Sequence, residues 1–386
     1  MNYFYFPLRR QAFFSDFRMD PQLRFQISLS LIPGVGGVTA KKLISYCGGV
    51  EAIFTEKKHA LLKIPGIGEN IASAVLSHKV FDRAEKELLF IEKHRIKTCF
   101  FLDKDYPARL KHCEDGPVML FIKGEANLNA PKVVSIVGTR SMTDYGREQC
   151  NALIEGLVAH NALVVSGLAY GVDACAHKKA LETGLETAAV LGHGLDRIYP
   201  PLHQQLAKRI ARQGALVTEF ITETQPDREN FPKRNRIIAG LCDAVIVIEA
   251  ADKGGALITA NIANSYNRDV FALPGRTTDP YSKGCNVLIK TNKANLLESI
   301  ADLEYIMGWD MKKDGKKAFQ PALFVELNED EEKMVGFLRK NPGVGIDQIV
   351  TQAGFTVSKT TSMLLSLEFK GIVKLLPGKI YSLLIP

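Results

Sequence analysis

The chain has 386 residues, 46% hydrophobic and 24% charged, which is too long for one small domain and excludes wholesale disorder. Its net charge of +7 is a mild excess that permits a polyanionic partner without requiring one. The seven cysteines form no CxxC pair, so they favour reduced thiols in a cytoplasmic protein over a zinc site or a disulfide framework. Because no run of about 18 apolar residues occurs, we expect no membrane-spanning helix and no membrane partner.

The first part of the chain contains a repeated helical motif. Residues 1–18 are aromatic and basic, and we expect them to be a disordered extension ahead of a better start at Met19. Within residues 19–85, the segment Ile32–Gly36 (IPGVG) recurs as Ile64–Gly68 (IPGIG), each time followed by a helical apolar pattern. The repeat predicts two helix-hairpin-helix units, whose glycines can point free N–H groups at a phosphate. Such pairs also serve as packing modules, so direct contact with DNA stays open here.

The middle of the chain changes from a connector to alternating strands and helices. Residues 86–130 are interpreted as a helix and a connector, and residues 131–307 as a doubly wound α/β domain. Continuous apolar strands separated by helices are typical of a parallel sheet that is covered on both faces. The predicted strands are Val133–Val137, Ala162–Ser166, Thr187–Leu191, Ala215–Glu219, Ala244–Glu249 and Asp269–Ala272. The predicted helices lie near 145–160, 172–183, 201–213, 233–241 and 256–267.

The last part of the chain predicts a small separate module. A Lys-rich stretch indicates a linker over residues 308–325, and residues 326–386 then favour a winged helix with three helices and a hairpin. The three helices are predicted at Glu331–Lys340, Gly345–Gln352 and Val357–Phe369, and the hairpin strands at Ile372–Leu376 and Ile380–Leu384. Lys359 is the only cation at the start of the third helix, whereas groove reading usually needs more positive charge. We therefore expect this module to bind protein or only to assist DNA binding.

Ligands of a doubly wound sheet bind outside the carboxyl ends of its strands. The loop after the first strand, GTRSMTDYG, is not GxGxxG, and the second strand ends in Ser166 rather than an acid, so a nicotinamide dinucleotide fits poorly. The chain contains no GxxxxGK[ST] segment, which argues against a P-loop ATPase. What remains is a set of Gly, Ser and Thr loops that can offer backbone N–H groups to an anion, with Arg140 beside them.

The densest functional stretch is the segment 231–241, FPKRNRIIAGL. Its three cations lie in the first turn or so of a helix, where they oppose the helix dipole unless an anion bridges them. Because this turn faces the same sheet edge as Arg140, we expect exposed Arg140 and Arg236 side chains, with Lys233 and Arg234, to bind phosphates. Phe231 or Tyr170 is available to stack a base, which together predicts a single-strand binding site.

Several residues that resemble catalytic groups have simpler interpretations. Asp173 and His177 lie four residues apart on one helix, and a helix-capping Asp with a structurally satisfied His is favoured over an acid–base pair. His193, between two glycines, is interpreted as a loop histidine. Tyr199 is interpreted as part of the start of the following helix.

The motifs together identify a family. GTRSMTDYG, VVSGLAYGVDACAHKKAL, VLGHGLDRIYPPLH, FPKRNRIIAGL, VIVIEA, GGALITA and VFALPG, in that order, closely resemble the DNA-processing protein A family (DprA, also called Smf). The resemblance covers residues 100–300 closely, and it agrees with a helix-hairpin-helix (SAM-like) domain before them and a winged helix after them. It implies a Rossmann-like domain that binds single-stranded DNA, protects it and loads the RecA recombinase onto it in natural transformation. It also implies a homodimer formed through that domain.

The resemblance also assigns site residues. Arg140 matches the arginine of the family's GxR loop, and the segment 231–236 matches its FPxRNR motif. Members often have Ser-Gly-Ser before the LITA helix, where this chain has Lys253-Gly254-Gly255, which puts a role for hydroxyls there in doubt. The DNA-binding residues predicted in all are Gly138, Thr139, Arg140, Ser166, Gly167, Tyr170, Phe231, Lys233, Arg234, Asn235, Arg236, Lys253, Gly254 and Gly255. No catalytic residue, metal or cofactor is expected.

The alternative comes from another class of protein. Rossmann-like phosphoribohydrolases, which release bases from nucleoside monophosphates, resemble this fold distantly and carry a PGGxGTxxE-type loop whose Glu acts on the ribose. The corresponding run here, Gly254–Ala260, has no Glu in reach, which argues against hydrolysis. A transcription regulator that works through the winged helix rests on the last module alone and is weaker still.

Overall fold

The computed structural model describes residues 21–309, 327–376 and 378–384. The predicted extension over residues 1–18 therefore lies outside the described residues, as does the predicted linker from residue 310 onward. Among the described helices, none combines the length and the apolar character that a membrane crossing requires.

The N-terminal region is a helical bundle with its own core. Helices α2 and α5 begin directly after the two IPGxG segments, as the repeat predicted, and Ile32 and Ile64 are both buried. The last glycines of the two segments, Gly36 and Gly68, are alike in their surroundings, since a Cβ on either would have no described atom within 4 Å. The helices are α1 (Pro21–Leu31), α2 (Gly37–Cys47), α3 (Val50–Ile53), α4 (Lys58–Leu61), α5 (Glu69–Leu76) and α6 (Phe81–His94).

The connector predicted for residues 86–130 is wrong in part, because it contains two strands of the main sheet. These are β1 (Lys97–Phe100) and β2 (Met119–Gly124), with the short helix α7 (Ala108–Lys111) between them. Strand β2 pairs antiparallel with β1 on one side and with β6 (Ala215–Thr218) on the other. Phe100, Met119 and Phe121 pack into the core of the N-terminal bundle, so these strands join the bundle to the sheet.

The central domain is the doubly wound α/β fold that the alternation predicted. The sheet has the order β1-β2-β6-β5-β4-β3-β7-β8-β9. In this order, β6, β9 and all the strands between them are parallel to one another. Its strands are β3 (Val133–Val137), β4 (Leu163–Ser166), β5 (Thr187–Val190), β6 (Ala215–Thr218), β7 (Ala244–Val247), β8 (Asp269–Ala272) and β9 (Asn295–Leu296). Its helices are α8 (Asp144–Leu157), α9 (Val172–Thr183), α10 (Gln204–Gln213), α11 (Asn230–Leu241), α12 (Gly255–Ser265), α13 (Lys283–Lys290) and α14 (Ile300–Met307).

Both faces of this sheet are buried, which explains why its strands are continuously apolar. Val134 and Ile136 of β3 share one core with α8, α9 and α14, whereas Val133 and Val137 share another with α11, α12 and α13. The strand order reverses at β3, since β4 lies on one side of it and β7 on the other. The carboxyl ends of the parallel strands therefore form one edge, where the helices α8, α9, α11 and α12 begin.

The C-terminal module is a winged helix, as predicted. Its elements are α15 (Glu329–Lys340), β10 (Val344–Gly345), α16 (Ile346–Ala353), α17 (Val357–Phe369), β11 (Val373–Leu376) and β12 (Ile380–Leu383). The sheet order is β10-β12-β11. The backbone N–H of Gly378, between β11 and β12, donates to the carbonyl of Asn267, so the wing contacts the central domain at 3.1 Å.

Ile238 tests the buried face of α11. It is 2% exposed within the core under the sheet, so Ile238→Ala should lower the free energy of unfolding by about 2–5 kcal/mol through the cavity it leaves. The matched control is Ile258→Ala on α12, whose side chain is 44% exposed and whose loss should cost less than about 0.5 kcal/mol. Urea denaturation followed by circular dichroism measures both. Equal losses for the two variants would contradict the burial of this face.

Candidate nucleic-acid interface

The loops after β3, β4 and β5 and the start of α11 surround one pocket at the carboxyl edge of the sheet. It encloses about 400 Å³, including its open mouth. We call it the carboxyl-edge pocket; it is lined by Arg140, Leu168, Ala169, Tyr170, Val190, Leu191, Gly192, His193, Tyr199, Pro200, Phe231 and Arg234. Two cations and three aromatic rings thus line a mostly apolar depression.

Phe231 lies between the two guanidinium groups of the pocket. The Cζ atoms of Arg140 and Arg234 are each 5.9 Å from the centroid of its ring, and the Tyr199 ring centroid is 6.0 Å away. Cations within about 6 Å of an aromatic ring are attracted to its face. Arg140 is exposed, so the ring holds a solvent-accessible positive charge at the mouth of the pocket.

Arg234 is the buried cation beneath the pocket. Only 6% of the residue is exposed, and its Nη1 donates a 2.8 Å hydrogen bond to the Val190 carbonyl. Gly167 makes room for it, because a Cβ there would lie 1.8 Å from Nη1 of Arg234 and 2.5 Å from Oδ2 of Asp173. Burial lowers the pKa of Arg234, and the Asp173 carboxylate opposes this shift. An arginine keeps its charge in proteins, and Nε of Arg234 is buried without a partner among the described residues.

The remaining residues of the segment 231–236 point in different directions. Lys233 is exposed in the first turn of α11. Asn235 is buried, and its Nδ2 donates a 3.4 Å hydrogen bond to the Gly255 carbonyl at the start of α12. Lys253, Gly254 and Gly255 are exposed at the same edge of the sheet but do not line the carboxyl-edge pocket.

The expectation that Arg236 is exposed beside Arg140 is wrong. Arg236 forms an ion pair with Glu219, and the two side chains are only 15% and 18% exposed. Its other amino group donates to the Asp115 carbonyl. At 100° per residue, Arg236 lies about 140° around the helix from Phe231. It therefore faces Asp115, in the segment between β1 and β2, instead of the pocket.

Ser166 and the loop glycines have structural tasks. Ser166, one of the predicted DNA-binding residues, is fully buried and donates its hydroxyl hydrogen to the Ile136 carbonyl at 2.6 Å, so its hydroxyl does not face the carboxyl-edge pocket. A Cβ on Gly138 would lie 2.4 Å from Cγ2 of Val172. The Thr139 N–H donates to the Glu249 carbonyl at 2.7 Å, which fixes the loop that carries Arg140.

The predicted structural interpretation of the histidines is confirmed. His177 is completely buried, with Nε2 2.6 Å from the Gly167 carbonyl and Nδ1 2.7 Å from Oγ1 of Thr187. Because a carbonyl only accepts, Nε2 carries the proton. His193 is buried as well, its Nδ1 next to the Gly194 carbonyl and its Nε2 accepting from the Tyr199 N–H. The prediction that Asp173 caps α9 is wrong, because Gly171 is the N-cap and no side chain caps this helix. Asp173 lies in the first turn and accepts from the Ala169 N–H ahead of α9, so it orders the loop of Tyr170.

Glu249 is a site residue whose role sequence reasoning missed. Its carboxylate accepts hydrogen bonds from the N–H and the hydroxyl of Thr143, which caps α8. A Cβ on Gly146 would lie 2.5 Å from this carboxylate. In dinucleotide-binding folds the pyrophosphate lies at the start of the helix that follows the first strand. Here a protein carboxylate already occupies that position, which argues against a dinucleotide ligand.

Three family models match the chain over consecutive stretches. A helix-hairpin-helix motif matches residues 24–85, DNA recombination-mediator protein A matches residues 97–307, and the DprA winged helix domain matches residues 321–379. Protein Smf of Synechocystis sp. is 34% identical over 395 residues, which cover 92% of this chain and 98% of that protein. DNA processing protein DprA of Streptococcus pneumoniae is 36% identical over 258 residues, which cover 63% of this chain and 91% of that protein.

Two solved structures are similar as well. The X-ray structure of DprA from Streptococcus pneumoniae matches with a TM-score of 0.61 and 33% identity, covering 73% of this chain and 97% of that one. A structure of DNA processing protein A from Helicobacter pylori, described for its single-stranded DNA binding mode, matches with a TM-score of 0.51 and 29% identity. That match covers 56% of this chain and 98% of the Helicobacter chain.

The Arg236–Glu219 pair yields a prediction about stability. Arg236→Ala should lower the free energy of unfolding by about 3 kcal/mol, because it leaves the Glu219 carboxylate buried without its partner. Adding Glu219→Gln removes that charge and should restore part of the loss. Arg140→Ala is the matched control and should cost less than about 0.5 kcal/mol, since Arg140 is exposed. Urea denaturation of the four proteins measures this; a double variant less stable than Arg236→Ala alone would refute it.

His177 yields a prediction about pH. Burial lowers the pKa of His177 to about 4, so the unfolded chain, with an ordinary value of about 6.5, binds the extra proton first as the pH falls. The contribution of His177 to the free energy of unfolding should therefore be fully present above pH 6.5 and fall as the pH drops below that value. By pH 4.5 the free energy of unfolding should be about 2–3 kcal/mol lower. His177→Gln should be less stable at pH 7 but lose less between pH 7 and 4.5. Urea denaturation at the two pH values measures the free energy of unfolding of both proteins. If the unmodified chain and His177→Gln lose the same amount between pH 7 and 4.5, His177 is not buried in its neutral form.

Proposed function

The chain belongs to the DNA recombination-mediator protein A family, also called DprA or Smf, and from this premise we propose that it binds single-stranded DNA at the carboxyl-edge pocket. The observation that carries the proposal is the pair of guanidinium groups at Phe231, one exposed on Arg140 and one buried on Arg234. Together they offer a place for both a phosphate and a base.

The charges of the pocket favour a phosphate. Lys233 lies in the first turn of α11 and Arg234 directly after it; that turn contains no acidic residue, so their charges add to the positive end of the helix dipole. Arg140 and Lys233 are free to meet a phosphate from solvent because both are exposed. Arg234 adds a fixed charge from below, with a buried Nε that no described residue satisfies. An anion over this turn would relieve the repulsion among the three cations.

The aromatic rings favour a nucleobase from an unpaired strand. Tyr170 and Tyr199 are each 43% exposed at the rim, and the Tyr199 ring centroid lies 6.0 Å from that of Phe231. Stacking on such rings requires bases that are not paired in a duplex, and it tolerates any base because every base has a π-face. The expected ligand is therefore a single strand of any sequence.

The relatives support the same ligand. A structure of the Helicobacter pylori relative, 29% identical to this chain, is described for its single-stranded DNA binding mode. We carry that ligand over to this chain, and with it the family's protection of single-stranded DNA.

Catalysis is not part of the proposal. The acid and histidine side chains beneath and beside the pocket have structural hydrogen bonds: Asp173 with the Ala169 N–H, His177 with Gly167 and Thr187, and His193 with Gly194. Glu249 is held at the start of α8. Incubation with nucleoside monophosphates, followed by chromatography of released bases, tests the hydrolase alternative directly.

Two further roles rest on the family alone. We propose that the chain forms a homodimer through its central domain and that it loads the RecA recombinase onto bound DNA. Light scattering measures the first, and the rate of RecA filament assembly on single-stranded DNA, with and without the chain, measures the second. The winged helix is proposed to contact protein, since the exposed side of α17 carries Leu365 and Phe369.

The DNA-binding proposal predicts a specific loss in Arg140→Ala. This variant should weaken the binding of a labelled oligonucleotide by about 1–3 kcal/mol, the range for a charged hydrogen bond. The slope of log affinity against log salt should fall by about 0.7, the contribution of one phosphate contact on a single strand. Fluorescence anisotropy at several salt concentrations measures both.

The matched control is Arg212→Ala. Arg212 is an exposed arginine in the last turn of α10, which runs away from the carboxyl edge, so its removal changes the net charge equally at the opposite edge of the sheet. Its affinity and its salt slope should stay near those of the unmodified chain. Equal losses in both variants would refute the pocket as the binding site, as would tighter binding of duplex than of single strands.

A further inference from the structure

Helices α8 and α9 hold two cysteines against each other outside the carboxyl-edge pocket. Cys150 of α8 is fully buried, whereas Cys175 of α9 is half-buried. The Sγ of Cys175 lies 3.6 Å from Oδ1 of Asn151, the residue after Cys150. One turn further along both helices, Lys179 forms an ion pair with Glu155. These contacts fix the register of the two helices at the level of the cysteines.

The two thiols differ in reactivity. The Cys150 thiol hydrogen-bonds the sulfur of Cys175 and, with Arg147 and Lys178, lowers the pKa of Cys175 to about 7. The same hydrogen bond, together with burial, raises the pKa of Cys150. At neutral pH, Cys175 is thus substantially a thiolate, which is the nucleophilic form, next to a protonated second thiol.

We propose that Cys150 and Cys175 form a reversible redox pair that hydrogen peroxide converts into a disulfide. The Cys175 thiolate attacks one peroxide oxygen and the O–O bond breaks; the departing hydroxide takes a proton from solvent, and Cys175 becomes a sulfenic acid. The Cys150 sulfur then attacks the Cys175 sulfur, and the S–O bond breaks while the Cys150 proton leaves with the hydroxide as water. Two thiols and one peroxide give one disulfide and two waters, and a dithiol reductant reverses the reaction.

The other cysteines provide an internal contrast. Cys47 is half-buried like Cys175, but burial raises its pKa. Burial likewise raises the pKa of the buried cysteines Cys99, Cys113, Cys242 and Cys285. Only Cys175, among the described cysteines, combines access to solvent with a lowered pKa.

The pair is placed so that its oxidation would reach the proposed DNA site. Helix α8 begins four residues after Arg140, and α9 begins two residues after Tyr170. A disulfide shortens the distance between the sulfurs to about 2.05 Å, which draws the two helices together and shifts the loops at their starts. This coupling rests on the proposed function, and we expect the oxidised chain to bind single-stranded DNA at least threefold more weakly.

The first experiment tests the redox pair without DNA. The fully reduced chain is treated with equimolar hydrogen peroxide at pH 7 and mapped by mass spectrometry without reduction. We expect the loss of two thiols per chain, a linked Cys150–Cys175 peptide, and recovery with dithiothreitol. C150S should stop at a sulfenic acid on Cys175 that dimedone traps, and C47S should behave like the unmodified chain. In the unmodified chain, iodoacetamide should label Cys175 about tenfold faster than Cys47, a comparison that needs no variant to fold.

The outcomes separate the two proposals. Labelling of Cys47 as fast as Cys175, or a linked peptide between other cysteines, would overturn the redox pair. A linked Cys150–Cys175 peptide with unchanged oligonucleotide affinity would overturn only the coupling. An equal loss of oligonucleotide affinity in C175S and in the unmodified chain after peroxide treatment would also overturn the coupling. Failure of the reduced chain to bind any oligonucleotide would count against the proposed function and leave the thiol chemistry standing.

Discussion

The carboxyl-edge pocket depends on one buried charge, the guanidinium of Arg234. A buried cation is costly unless it is paired and hydrogen-bonded, and here the Val190 carbonyl, the nearby Asp173 and the Phe231 ring share that task. The bare backbone of Gly167 is required at the same point, because a Cβ would occupy the place of the guanidinium. The loops after β4 and β5 and the start of α11 are therefore shaped around Arg234. Its Nε is buried without a hydrogen-bond partner among the described residues, so the charge of Arg234 is not fully compensated.

Glu249 explains why the pocket does not lie at the usual nucleotide position. Its carboxylate neutralises the start of α8, where a dinucleotide fold would receive a pyrophosphate. The cations are instead displaced toward β4 and β5, onto the first turn of α11 and the Arg140 loop. Under the proposed function, an internal anion at one helix start and exposed cations at another adapt a nucleotide-binding topology to a phosphate backbone.

Sequence patterns predicted the parts of this molecule that depend on local order. The helix at 172–183 and the placement of Arg140, Phe231 and Lys233 at one edge follow from periodicity and from the rule that parallel strands end together. Strands β1 and β2 were missed because their antiparallel pairing depends on β6, about a hundred residues away. The direction of Arg236 was missed for the same reason, since Asp115, one of the two residues that hold it, lies 121 residues away in the sequence.

The N-terminal bundle also contributes to the pocket, through the loop that leads into α11. Glu87 of α6 is 2% exposed and accepts hydrogen bonds from the N–H and the hydroxyl of Thr222, while Arg83 donates to the Thr222 carbonyl. A buried carboxylate of this kind is stable only while its partners stay in place. The bundle therefore fixes this loop at Thr222, eight residues before α11 begins. Phe231, Lys233 and Arg234 lie within the first five residues of α11, so the segment that leads to them is anchored to the sheet through β6 and to the N-terminal bundle through Thr222.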